Sequence, residues 1–348
     1  MIELVLTVCL TTDPAICATH LLPQVAVVNQ IECEATAGVR IEVWQKQHHD
    51  LTIVNRDCKS PDIAPLPVIE IADGIWMHKG LNEIPTPQNA GDLANIGFVV
   101  GQDAIAVIDA GGSRDVAERL LAAIRQVSNL PVKYLVLTHM HPDHTTGASL
   151  FLDMGAHIVA HENLPAALAS RAMTYDANYG SLIGAQRMIL SNVIAADSIK
   201  TGLMEIDLGG RILHLTQTPT AHTDNDLRLF DDLTGTLWMG DLVFAEHTPA
   251  LDGSITGWLA VLDEMRDFKA ARMVPGHGPV SLPWPEGMDA VYGYLSAVAQ
   301  ETRAAIKRGE SLSVAITHVG ESQRDKWLLF DEFNARNATA AYTELEWE

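Results

Sequence analysis

Four metal-binding side chains stand close together in Thr138-His139-Met140-His141-Pro142-Asp143-His144, an H-x-H-x-D-H pattern. In an extended segment, residues i and i+2 face the same side. Pro142 keeps the residue before it extended, so His139 and His141 converge on one ion. Pro142 also carries the fixed φ that suits the first turn of a helix. Asp143 and His144 then lie where the chain turns, and they face a second ion. Imidazole and carboxylate are ordinary zinc ligands at roughly 2.0–2.2 Å. The alternative is a polar loop whose histidines only cap turns. It leaves unexplained three further candidate ligands downstream, His222, Asp241 and His277, each placed at the end of a strand-like segment.

The segment before the motif, 132–137, is an apolar, β-branched and aromatic run that reads as a buried strand. Its C-terminal end is where α/β folds place their chemistry. Other strands are expected at 68–72 and 75–78 around an Asp73-Gly74 turn, and at 96–100 and 105–108. Asp109 ends the last of these, on the same edge as the histidines, and reads as support for them. Gly111-Gly112 lacks a Walker lysine or a dinucleotide spacing and reads as a tight strand-to-helix turn. A helix follows on Val116, Leu120, Ile124 and Val127. A short helix around 145–153, a strand at 156–160 and a helix at 162–172 come next. Residues 173–200 read as an irregular, partly helical insertion, whose Tyr175 and Tyr179, with Trp258, are candidate pocket walls.

Strands are expected at 203–208, 211–216, 226–230 and 236–239, the last ended by Gly240-Asp241, and at 271–274 before Pro275-Gly276-His277. The C-terminal region reads as helical. His247 lies in a proline-containing loop, as a substrate contact, an acid, or a histidine with no catalytic role. His161 reads as a helix N-terminal position, and His48-His49 as a surface pair.

The 348 residues suffice for two domains, or one with an appendage. The formal net charge of −21 argues against nucleic acid as a partner. No apolar run approaches the roughly 20 residues that span a bilayer. Leu4–Leu10 lacks a basic stretch before it and reads as a strand, not an export signal. Residues 1–60 read as a small αβ module, with a helix within Leu22–Gln47 and a strand at 51–54; 61–67 form a proline-punctuated linker, and 68–348 the main domain. Cys9, Cys17, Cys33 and Cys58 all fall in the module. An even, clustered set fits disulfides and an oxidising compartment such as a periplasm, and the module could then dock a protein partner. The missing export signal argues for the cytoplasm instead. Four reduced thiols packed as small hydrophobes, or a cysteine-only zinc site without any C-x-x-C pair, are the alternatives. Three disulfide pairings are possible.

With His222, Asp241 and His277 added to the opening motif, the order of ligands resembles the metallo-β-lactamase superfamily of metal-dependent hydrolases over roughly residues 68–280. The resemblance implies an α+β fold, a four-layer αβ/βα sandwich with the metals at one edge of its sheets. It implies that His139, His141 and His222 hold one ion, that Asp143, His144 and His277 hold the other, and that Asp241 bridges them. The segments 88–97, 221–226 and 247–253 resemble the quinoprotein relay system zinc metallohydrolases. Asp241 stands where two β-lactamase subclasses carry cysteine. His141 stands where the di-iron branch carries glutamate. A bridging aspartate resembles the glyoxalase II and lactonase branches.

The implied enzyme is a dinuclear zinc hydrolase, with iron or manganese as substitutes. A metal-bridging hydroxide would attack the carbonyl of a small ester, thioester, lactone or amide. Asp143 would orient the water and carry its proton, and Asp109 would accept from a ligand imidazole. The competing readings are an iron-dependent redox or sulfur enzyme on the same fold, and a metal-binding accessory protein without turnover.

Overall fold

The computed structural model describes residues 2–23 and 29–348. Three sheets follow one another along the chain. The first contains β1 (Glu3–Leu10), β2 (Cys17–Leu22) and β3 (Leu51–Lys59), in the order β2-β1-β3. The second contains β4 (Ile69–Ala72), β5 (Ile75–His78), β6 (Ile96–Val100), β7 (Ile105–Ile108), β8 (Val132–Val136), β9 (His157–Val159) and β10 (Ile199–Lys200), in the reverse of chain order. The third contains β11 (Glu205–Asp207), β12 (Ile212–Gln217), β13 (Leu227–Asp231), β14 (Thr236–Phe244), β15 (Arg272–His277) and β16 (Leu282–Pro283), in chain order. The longer helices are α1 (Gln30–Gln45), α2 (Arg114–Val127), α3 (Leu164–Ile183), α4 (Ile255–Met265), α5 (Asp289–Lys307) and α6 (Phe330–Leu345).

Strand alternation builds the layers. Phe98 and Val107 face one way, into a core shared with Leu120 and Ile124 of α2 and Leu168 of α3. Their neighbours Val99 and Ile108 face the other way, into a core shared with Leu213, Leu229 and Trp238 of the third sheet. On that sheet, Leu237 and Met239 point outward onto α4, α5 and α6. The result is helix, sheet, sheet, helix, the four-layer α+β sandwich, with both sheets buried on both faces.

The small N-terminal sheet packs against the second sheet's helical layer. Val5 and Leu21 join the core of α2, and Ile189 and Leu190 join Leu4, Leu6 and Trp44. Disulfides pair Cys9 with Cys17 and Cys33 with Cys58, which resolves the three possible pairings. Helix α1 starts at the Asn29 cap, whose side chain accepts from the Glu32 amide while Glu32 reaches back. The part of the expected 22–47 helix at 24–28 lies outside the described residues.

Several expected boundaries shift. The strand β2 has no counterpart in the sequence reading, because its Thr19 and His20 break the apolar run. Strand β3 runs on to Lys59, paired along the whole of β1. Helix α3 does not end near residue 172. It continues to Gly184, whose φ of 89° stops it, because Tyr175, Tyr179 and Ile183 repeat at helical spacing. Strand β14 continues through Gly240-Asp241 to Phe244, with irregular pairing to β15 on either side of Gly240. His48 is half-buried and stacks on Trp44 at 4.2 Å, while His49 is exposed. Among the described residues, no helix is long and apolar enough to cross a membrane.

Candidate metal centre

The C-terminal ends of β7, β8 and β15, with the middle of β14 and the loop after β12, meet at one edge of the two central sheets. His141 is extended, with φ −65° and ψ 147°, and caps a short helical turn, Pro142–Thr145, whose first residue is the proline. Pro142 therefore does what its ring dictates: it holds the H-x-H pair extended and starts the turn that carries Asp143 and His144.

Two groups of ligand atoms result. His139, His141, His222 and Asp241 form one, and Asp143, His144 and His277 the other, the atoms of each lying within 4.8 Å of one another. Asp241 faces both. Its Oδ2 lies 3.6 Å from His139 Nε2, 3.7 Å from His222 Nε2 and 3.5 Å from His277 Nε2. Its Oδ1 lies 3.2 Å from His144 Nε2. Asp143 Oδ2 sits 3.4 Å from His277 Nε2.

Glycine makes the room. A Cβ on Gly276 would collide with Oδ1 of Asp241, so the residue before His277 has no side chain. Gly240 has a φ of 50° and packs against Thr138, and this break in β14 turns Asp241 toward the cluster.

The outer nitrogens of the histidines are fixed from behind. Asp109 Oδ2 accepts from His144 Nδ1 at 2.8 Å. Asp226 Oδ1 lies 3.2 Å from His222 Nδ1. Asp252 Oδ2 lies 3.2 Å from His141 Nε2, which leaves Nδ1 of that ring for an ion. Such partners orient a ligand imidazole and raise its basicity. Asp109, expected to support the histidines, lies directly behind His144. The sequence carries a local signal for Asp226, an acid four residues after His222, and none for Asp252.

The cluster suits cations. Nε2 of His139, His144 and His222 and Oδ1 of Asp241 are buried without a hydrogen-bond partner, a costly arrangement for polar atoms that nothing binds. Burial disfavours charge on His144, yet the carboxylates of Asp241, Asp109 and Asp143 outweigh it and raise its pKa well above the ordinary histidine value. Burial likewise opposes charge on Asp241, and His277, His144 and His139 outweigh it, holding its carboxyl far below the usual range. Burial, and then His144, push His139 the other way, toward the neutral form that binds metal. Buried imidazoles beside buried carboxylates form a donor set suited to divalent metal ions.

The cluster opens into a cavity of about 490 Å³. Tyr175 and Tyr179 line it, as expected, on the face of α3. Trp258 does not: its indole Nε1 donates to the Leu242 carbonyl and its ring packs edge-on behind His222. His247 lines the cavity and stacks on His277, with 5.0 Å between ring centres. Its Nδ1 donates to the Thr248 carbonyl at 2.6 Å. Burial, then the charge of His277, lowers its pKa to about 4. His247 is thus neutral at pH 7, with Nε2 free to accept. His161 is buried and accepts from the Asn163 amide in the turn that leads into α3.

Comparison with known proteins identifies the family. The family model described as "Metallo-beta-lactamase superfamily" matches residues 90–277, just over half of the chain. A beta-lactamase-like protein 2 homolog from Caenorhabditis elegans is 22% identical over 71% of this chain and 76% of its own length. A linear primary-alkylsulfatase from a Pseudomonas strain is 26% identical over 53% of this chain, and the match spans only 41% of that protein. A solved metallo-beta-lactamase from Pontibacter korlensis superposes with a TM-score of 0.52 at 20% identity, over 66% of this chain and 99% of that one.

Proposed function

Since the chain belongs to the metallo-beta-lactamase superfamily, we propose that it is a dinuclear zinc hydrolase acting on a carbonyl substrate, an ester, thioester, lactone or amide. The observation that carries this reading is the pair of ligand groups hinged on Asp241. His139, His141 and His222 would hold one ion, and Asp143, His144 and His277 the other. Two ions bound there would supply a nucleophilic hydroxide near neutral pH and polarise a carbonyl oxygen.

The chain's own side chains supply the rest. Asp143 lines the cavity, where its carboxylate would take up a proton from the nucleophile and deliver it to the leaving group. Neutral His247 offers Nε2 as an acceptor to a substrate N–H or O–H beside His277. Asp109, Asp226 and Asp252 hold the imidazoles in register. The likeness of segments 88–97, 221–226 and 247–253 to the quinoprotein relay system zinc metallohydrolases supports membership of that branch.

Metal content by mass spectrometry on protein purified without added metal, run beside a hydrolase panel, tests the reading. Two zinc per chain with turnover, both lost in His139→Ala/His141→Ala, is the expected result. Undiminished hydrolysis by that variant overturns it, as does protein that binds no metal after reconstitution.

A further inference from the structure

We propose that the cavity takes an amphiphilic acid. Its substrate carries a carboxylate a few bonds from the scissile carbonyl on one side and an apolar chain on the other. Hydrolysis of this substrate rests on the function proposed above; its recognition does not.

The cavity wall sorts its chemistry by position. Helix α3 presents Arg171, Thr174, Tyr175, Asn178, Tyr179 and Leu182 to the cavity. Those offsets of three, four, seven, eight and eleven make one helical face. The face runs from a guanidinium through hydroxyls and an amide to leucine, over roughly 16 Å at 1.5 Å per residue.

A second guanidinium stands at the cationic end. Arg336 of α6 lines the same cavity and makes no hydrogen bond or ion pair with any described residue. Arg171 Nη2 lies 3.9 Å from Asp252 Oδ2, too far for a hydrogen bond. Asp252 is already committed to His141 at 3.2 Å. Two arginines thus face one acid, whose Oδ2 already meets His141. Glu83 on the rim is held by the Asn89 side chain.

The chain has 23 Lys and Arg against 44 Asp and Glu, and two arginines meet in this one cavity. The cavity's carboxylates are Glu83 on the rim and Asp143, Asp241 and Asp252 at the ligand cluster, so the two guanidiniums supply local positive charge to an anion at the α3–α6 end. Arginine forks match a carboxylate geometrically, and Arg171 already faces one in Asp252.

The other end is apolar. Leu182 is 46% exposed and Ile84 is 44% exposed, both at the cavity rim. Pro87 packs against Gly184, which ends α3, and so brings the Ile84-Pro85 loop to the leucine end. The reacting centre lies nearer the cationic end, because His141 is joined to Arg171 through the single carboxylate of Asp252. The acid of the substrate is therefore close to the carbonyl, and the apolar chain extends away toward Leu182.

The test uses matched probes with the protein as purified. Monohexyl glutarate carries the acid, and hexyl pentanoate lacks it at the same length. The expected kcat/KM ratio favours the acid at least tenfold, and Arg171→Met/Arg336→Met collapses that ratio toward one. Arg336→Lys, which keeps the charge, retains part of it. A second readout is calorimetric titration with N-hexylglutaramic acid against N-hexylpentanamide: the acid binds tighter, and the double variant weakens it at least tenfold. Equal handling of acid and neutral probes, or a preference that survives the double variant, overturns the proposal. Selective, arginine-dependent binding without turnover of either ester keeps this proposal, and overturns the hydrolase reading when the hydrolase panel also shows no turnover. Turnover without acid preference would do the reverse.

Discussion

Asp109 accepts a hydrogen bond from Nδ1 of His144 at 2.8 Å, from a backbone held at φ 58°. The same carboxylate accepts from the Thr138 amide and hydroxyl, each at 2.8 Å. One residue thus ties the end of β7 to the start of the metal motif. Few side chains tolerate a left-handed backbone, and asparagine and aspartate lead them. Asp109→Asn therefore keeps the conformation and removes the charge facing His144. Metal affinity should fall about 10- to 100-fold, the usual effect of losing such a partner, with little loss of stability. Asp109→Ala adds the backbone cost of about 1–2 kcal/mol. Chelator competition and urea denaturation separate the two effects. Wild-type metal affinity in Asp109→Ala would remove the orienting role.

The ligand motif was legible in sequence because its geometry is local. The H-x-H spacing and Pro142 act within a few residues, and the structure places both as their stereochemistry requires. His222, Asp241 and His277 were legible as polar residues ending strand-like runs. Asp252, Arg171 and Arg336 were not, because nothing local marks a loop acid that meets His141 across 111 positions, or two arginines on helices far apart in the chain. The extent of β14 was hidden by Gly240, which reads as a terminator and acts as a bulge. The cysteine pairing needed the register of β1 with β2 and the docking of α1, both set by tertiary contacts.

The two disulfides should differ in worth. Cys9 and Cys17 sit opposite each other in the β1–β2 register, eight residues apart, in a hairpin already closed by backbone pairing. Cys33 and Cys58 join α1 to β3 across 25 residues, inside the small core with Trp44. Loop-closure entropy alone makes the longer link worth about 1 kcal/mol more. Cys33→Ala/Cys58→Ala should therefore lower the denaturation midpoint further than Cys9→Ala/Cys17→Ala. It should also release α1, seen as faster amide exchange between residues 30 and 45. Equal midpoints would show that native-state packing, not chain entropy, sets the contribution.

His48 should make the N-terminal sheet acid-sensitive. It stacks on Trp44 at 4.2 Å, and burial lowers its pKa below the ordinary 6.5, with Asp153 and Asp50 opposing in part. The unfolded chain then binds a proton more readily than the folded one. Stability from the neutral ring is complete above pH 6.5 and is lost as pH falls below that value toward the depressed folded pKa. His48→Gln removes the titration. Its urea midpoint should fall less between pH 7 and pH 5 than the wild type's. Identical falls would assign the acid sensitivity to other groups.

Arg114 joins the small N-terminal sheet to α2. It is completely buried. Its guanidinium reaches Glu118 at 3.3 Å, Asp153 at 2.8 Å, the Ser149 hydroxyl at 3.1 Å and the Leu21 carbonyl at 2.8 Å. Glu118 in turn accepts from the Leu21 amide at 2.8 Å. The arginine therefore closes a circuit that fastens β2 to α2. Arg114→Met preserves much of the volume and strands two carboxylates, of which Glu118 is almost fully buried. Removing one partner of a buried ion pair costs about 3–5 kcal/mol, and lysine cannot restore the fork. The expected result is a destabilised protein whose β2 amides exchange faster than those of β8. Loss confined to β8, with β2 still protected, would mean that apolar contacts of Val5 and Leu21 hold the small sheet without Arg114. In that case Arg114→Met/Glu118→Gln, which removes the stranded charge, should recover nothing. If the circuit is what matters, the double variant recovers part of the lost stability, because the cost lies in the uncompensated Glu118 charge and not in the missing guanidinium.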